Sequence, residues 1–219
     1  MSHAFAQQSR REELANALTH GVGTALAVAG LAVLVTLAAL HGDAWRVVSF
    51  ALYGATLVLL YLSSTLYHAF PWPNVKAVFH RLDHAAIFLL IAGTYTPFTL
   101  VTLRGPWGWS LFGVEWGLAV IGIVVKTVLF GRYRRVGVVV YVLMGWGAAV
   151  AVKPLLDSLP LQGLAWMLAG GLAYTGGVGF YVAKGIRYHH AVWHLFVLAG
   201  SVCHWVCVLL YVLPIPAGA

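Results

Sequence analysis

An all-α integral membrane protein, a seven-transmembrane helix bundle with a cytoplasmic N-terminus, is the fold class that three features of the sequence predict. Of the 219 residues, 61% are hydrophobic and only 9% charged, far from the roughly 25% charged share of a soluble domain. The charges are also segregated. Residues 14–42, 47–75, 84–103, 158–183 and 188–219 contain no Asp, Glu, Lys or Arg, and a spanning helix needs about 20 such residues. Finally, the basic residues sort by loop parity, as the positive-inside rule requires.

The first span is expected at 18–40, behind a short cytoplasmic segment of residues 1–17. Its apolar run exceeds the core of about 7 to 15 residues found in a secretory signal, so it reads as a retained helix. The second, 46–69, stops at FPWPN, and the third, 81–103, stops at RGP, where proline and glycine interrupt helix and favour reversal. The fourth, 108–129, carries Glu115 near one end and Lys126 near the other. The fifth is expected at 135–153 and is short, bounded by DSLP; the sixth follows at 161–183 and the seventh at 190–213, leaving a tail of 214–219. Residues 18–213 form one domain. Trp45, Trp72, Trp107 and Trp109 fit interfacial anchors. Cys203 and Cys207 lie one helical turn apart and read as small packing residues, since such a pair is poorly placed for a disulfide.

With the N-terminus inside, Arg10, Arg11, Lys76, Arg81, Lys126, Arg132, Arg134, Arg135, Lys184 and Arg187 face the cytoplasm, and only Arg46, Arg104 and Lys153 face outward. The net charge of +7 is then a signal for orientation and lipid headgroups. No nucleic-acid partner is expected; the expected partners are membrane lipids and the expected location the cell (inner) membrane, crossed several times. Parity also gathers chemistry. His68 ends the second span, Asp83 opens the third, and His190 and His194 open the seventh, so three distant segments deliver ionisable groups to one leaflet.

Such groups are costly inside a bilayer unless paired, hydrated or ligated. His190 and His194, at i and i+4, share a helix face and could chelate one metal ion. Ser64 and His68 have the same relation on the second span. Three neutral histidines with one open position make a catalytic zinc site, in which the metal activates water near neutral pH. Asp83 would orient that water or take its proton, and Ser64 would donate a hydrogen bond to Asp83 or to the reacting group. His80 and His84 form a competing pair of the same spacing, ranked lower because His80 falls at headgroup level and His84 points away from Asp83. His189 reads as an interfacial bystander and His204 as a buried polar partner. Glu13, Asn16 and His20 share a rough face at the start of the first span; the simpler account is a helix start favoured by acidic residues near its N-terminus.

Four segments, EELANALTHG, SSTLYH, RLDHAAIFLLIAGTYTPF and HHAVWHLFVLAGSVCHW, occur in order, and together the chain resembles the hemolysin III family, the bacterial branch of the progestin and adipoQ receptors. The resemblance implies a seven-helix bundle with zinc near the cytoplasmic face, ligated by His68, His190 and His194, with Asp83 holding water and Ser64 beside it. Similarity to the receptor branch, and more distantly to alkaline ceramidases, further implies zinc-dependent hydrolysis of a lipid amide or ester. Two alternatives accompany this expectation: a non-enzymatic, metal-stabilised sensor or regulator of membrane lipid homeostasis, and a pore-forming or haemolytic protein.

Overall fold

The computed structural model describes residues 8–128 and 134–214, and those residues contain helix and no strand. The helices are α1 (Arg10–His41), α2 (Ala44–Ala69), α3 (Pro73–Pro97), α4 (Pro106–Val128), α5 (Arg134–Gly145), α6 (Val152–Ser158), α7 (Leu161–Val182) and α8 (His189–Cys207). Six stretches are long and apolar enough to cross a membrane: Arg10–His41, Ala44–Ala69, Pro73–Thr102, Pro106–Thr127, Gly137–Ser158 and His189–Val212. The chain is therefore a multi-pass membrane protein. Helix α7 also reaches 22 residues without a charge, but glycine dilutes its hydropathy. Three of those glycines, Gly163, Gly170 and Gly177, are its buried residues and recur every seventh position on the face meeting α8. There they admit Tyr211, His204 and Phe196, the close approach that small residues permit between membrane helices.

Two boundaries differ from expectation for local chemical reasons. Helix α1 starts at Arg10, ahead of the apolar run, because Ser9 and Glu12 form a reciprocal capping box. The fifth span is not one helix over 135–153: α5 ends at Gly145, a 3₁₀ turn covers Gly147–Ala151, and α6 continues to Ser158. Pro154 has no N–H to extend a helix backward. The buried carboxyl of Glu115 occupies the space a side chain at Gly147 would need. Tyr95 bridges the gap, its hydroxyl accepting from the Ala148 N–H at 2.8 Å and donating toward the Met144 and Gly145 carbonyls at 2.9 and 3.1 Å. Both α3 and α8 run on into a π-helical turn, Phe98–Thr102 and Val208–Val212.

The core lies where α1, α2, α3 and α8 meet, around Leu34, Phe50, Tyr53, Tyr61, Leu90 and Val208. A smaller cluster of Phe88, Ala92, Ala119 and Met144 joins α3, α4 and α5. Arg46 sets the pairing of α2 with α8. Buried at the start of α2, it donates to Asp43 Oδ2 at 2.8 Å, to Val212 O and Leu213 O at 3.2 and 2.9 Å, and to Pro214 O at 3.2 Å. A guanidinium on the terminal carbonyls of the last helix satisfies bare acceptors and opposes the negative end of the helix dipole. The beginning of α2 and the end of α8 thus share one side. Consequently the end of α2 and the beginning of α8 share the other.

Candidate metal centre

That second side brings three histidines together. His68 arrives near the end of α2, and His190 and His194 from successive turns at the start of α8; one ring nitrogen from each lies within 4.8 Å of the others. Ring centroids are 5.1 Å apart for His68 and His190, 5.3 Å for His68 and His194, and 4.6 Å for His190 and His194. The Nε2 atom of each is buried and has no hydrogen-bond partner. A buried polar atom without a partner costs about 1 to 3 kcal/mol, and three in one spot describe a ligand set.

The Nδ1 atoms of His68 and His194 are engaged. His68 Nδ1 lies 2.7 Å from Glu13 Oε2, and a carboxylate only accepts, so Nδ1 carries the proton. His194 Nδ1 lies 3.3 Å from the Asn16 carbonyl and 3.1 Å from Thr19 Oγ1. Thr19 already donates its proton to Asn16 O at 2.9 Å, so His194 Nδ1 is again the donor. Both imidazoles therefore present an Nε2 lone pair toward the cluster. A set of neutral imidazole donors suits zinc, copper, iron or nickel, and three with an open position is the pattern of catalytic zinc. The residues present fit such an ion.

Asp83 and Ser64 stand beside this group. Asp83, on α3, is 3% exposed, and its Oδ2 lies 3.6 Å from His84 Nδ1, too far for a hydrogen bond. His84 Nδ1 instead donates to the His80 carbonyl at 3.0 Å. Ser64 is fully buried, with its hydroxyl facing the Asp83 carboxyl. Asp83, His20 and His190 border a cavity of about 150 Å³ that runs between apolar walls such as Ile87 and Val142 toward Tyr95 and His204. Its apolar lining suits a hydrocarbon chain.

The other histidines separate as their surroundings dictate. His189 Nδ1 donates to Phe180 O at 3.0 Å and takes no part in the cluster. His204 Nε2 donates to Met167 O at 3.1 Å, deep between α7 and α8. His20 is different, because it stacks on His194 with ring centroids 3.4 Å apart and meets Tyr61 edge-on at 4.9 Å. Sequence reasoning treated Glu13, Asn16 and His20 as a helix start, yet all three reach the site, with Thr19. Their i, i+3, i+7 spacing was the available signal. Capping falls to Glu12, which also receives the backbone N–H of Tyr188 at 3.2 Å. Tyr188 has a left-handed backbone, φ 58°, and this turn leads the chain into α8.

Comparison with known proteins finds relatives along nearly the whole chain. The family model described as Haemolysin-III related matches residues 8–205, from just before α1 to within α8. "Hemolysin-3" of Bacillus cereus is 48% identical over 204 residues, covering 93% of each chain. The "Hemolysin-3 homolog" of Bacillus subtilis is 45% identical over 206 residues, 94% of this chain and 97% of the relative. More distantly, the human "Monocyte to macrophage differentiation factor" is 31% identical over 206 residues, 91% of this chain and 84% of its own. The matched region contains every residue of the histidine cluster, and the chain belongs to the haemolysin-III-related family.

Proposed function

We propose that this protein is a zinc-binding, seven-span protein of the bacterial inner membrane, with a cytoplasmic N-terminus, that hydrolyses a lipid amide or ester at the cytoplasmic side. The observation that carries the proposal is the trio of buried, unpartnered Nε2 atoms of His68, His190 and His194, of which His190 borders an apolar cavity together with Asp83. The charge-free α7 supplies the seventh span, and the bias of Lys and Arg supplies the orientation.

Zinc on these three nitrogens supplies Lewis acidity to a carbonyl and to water. The remaining work belongs to side chains. Asp83 orients the attacking water, accepts its proton and returns it to the leaving nitrogen or oxygen as the acyl C–N or C–O bond breaks, as a buried carboxylate facing the cavity can. Ser64 donates a hydrogen bond to Asp83 or to the reacting group. The cavity holds an acyl chain and keeps bulk water from the reacting bond. Elemental analysis of purified protein, together with turnover of a panel of ceramides and other acyl lipids, tests the proposal. Stoichiometric zinc with turnover supports it, whereas bound zinc without turnover of any acyl lipid removes the enzymatic part.

A second reading draws on the origin of the ligands. A metal held by His68 of α2 and by His190 and His194 of α8 would tie helices together, as a structural ion does, and would suit a sensor of membrane lipid composition. Asp83→Asn separates the two, since a structural site is indifferent to it and a hydrolase is not.

A further inference from the structure

Glu13 occupies a position that helix capping does not explain. The capping box at the start of α1 uses Ser9 and Glu12, leaving the next carboxylate free to turn inward. There its two oxygens have separate partners: Oε2 meets His68 Nδ1 at 2.7 Å, and Oε1 meets Lys76 Nζ at 2.9 Å. Lys76 also donates to the Tyr67 carbonyl at 3.1 Å, the residue before His68. One carboxylate thus joins the ligand-bearing end of α2 to the start of α3, the helix that carries Asp83 two turns further on.

We propose that Glu13 is a positioning residue of the metal centre, the carboxylate of a carboxylate–histidine–metal triad that holds His68 in its Nδ1-protonated form with Nε2 aimed at the ion. The inference rests on the metal reading of His68, His190 and His194. Its physical content is threefold. An imidazole with its proton fixed on Nδ1 needs no tautomer change to ligate; a ring held at 2.7 Å loses little orientational freedom on binding; and a negative partner raises the basicity of the nitrogen that donates to the metal. His194 is oriented by the neutral Asn16 carbonyl and Thr19 hydroxyl, so among the described residues Glu13 is the one that supplies charge to the ligand set through such a bond. Lys76 is assigned the lesser task of holding the other oxygen.

The experiment titrates metal-free, detergent-solubilised protein with Zn²⁺ against a chromophoric chelator, and records the visible spectrum of the Co²⁺ form. Wild type is compared with Glu13→Ala, Glu13→Gln, Lys76→Met and His68→Ala. Removing a partner of this kind costs about 10- to 100-fold in metal affinity, and that loss is expected for Glu13→Ala, with altered Co²⁺ bands. Glu13→Gln keeps an acceptor for the Nδ1 proton but not the charge, so it should fall between wild type and Glu13→Ala; because it is isosteric, it also serves if the alanine variant misfolds. Lys76→Met should stay within a few-fold of wild type. Wild-type affinity and spectrum in both Glu13 variants, with metal lost in His68→Ala, would overturn the triad and leave the metal site standing. A wild-type protein that takes up neither Zn²⁺ nor Co²⁺ would overturn the metal reading itself.

Discussion

At the scale of single residues, the site turns on which atoms lack a partner. His194 is fully buried, with Nδ1 bonded to α1 and Nε2 bare, so His194→Ala should abolish stoichiometric zinc, as measured by elemental analysis. Asp83 has a different part, facing the cavity outside the ligand group. Asp83→Asn should therefore retain zinc while turnover of any lipid substrate found falls by about 10²- to 10⁴-fold, the usual contribution of a positioned acid or base. The three clustered histidines were legible in the sequence because i, i+4 spacing places two imidazoles on one helix face, and because a histidine inside an apolar run is itself a signal. Glu13 was not legible. An acidic residue near a helix start has an ordinary explanation, and only the fold shows that Glu12 takes that role while Glu13 turns toward His68.

At the scale of elements, the contact between α7 and α8 depends on space rather than on polarity. A methyl group at Gly170 would sit 2.5 Å from His204 Nε2, so Gly170→Ala should destabilise the folded protein by about 1 to 3 kcal/mol, the usual cost of overpacking, seen as a lower thermal midpoint in detergent. The clamp at the far end makes a separate prediction. Arg46→Met leaves the carbonyls of Val212, Leu213 and Pro214 without their donor; hydrogen bonds to a charged group are worth about 1.5 to 3 kcal/mol, and a loss of that size should appear in the same measurement. The sequence showed α7, with its several glycines, as charge-free and long enough. Their register of seven acquires meaning only against Tyr211, His204 and Phe196 of the neighbouring helix. The break at Gly147 was likewise hidden, because beside Pro154 its causes include a carboxyl on α4 and a hydroxyl on α3, both far away in sequence.

At the scale of the whole molecule, one metal would tie α2 to α8, with α1 bonded to the ligands from both. Chelation should then lower the thermal midpoint of wild type and leave His68→Ala unmoved; an ion at 100 times its dissociation constant contributes about 2.7 kcal/mol. Reporter fusions should place the end of α2 and the start of α8 on the cytoplasmic side, with the 3₁₀ turn region after α5 toward the opposite one. What the sequence by itself determined is the membrane class, the approximate spans, and the arrival of His68, Asp83, His190 and His194 at one end of the bundle. Each follows from local quantities: apolar run length, helical periodicity, and the alternation of ends along an antiparallel bundle. The tertiary structure alone decided which nitrogens are left bare, that α1 orients His68 and His194, and that an apolar cavity reaches Asp83 and His190. Those depend on distances of a few ångströms between helices far apart in the chain, and hydrogen bonding and metal ligation are short-ranged, so no pattern within one helix contains them.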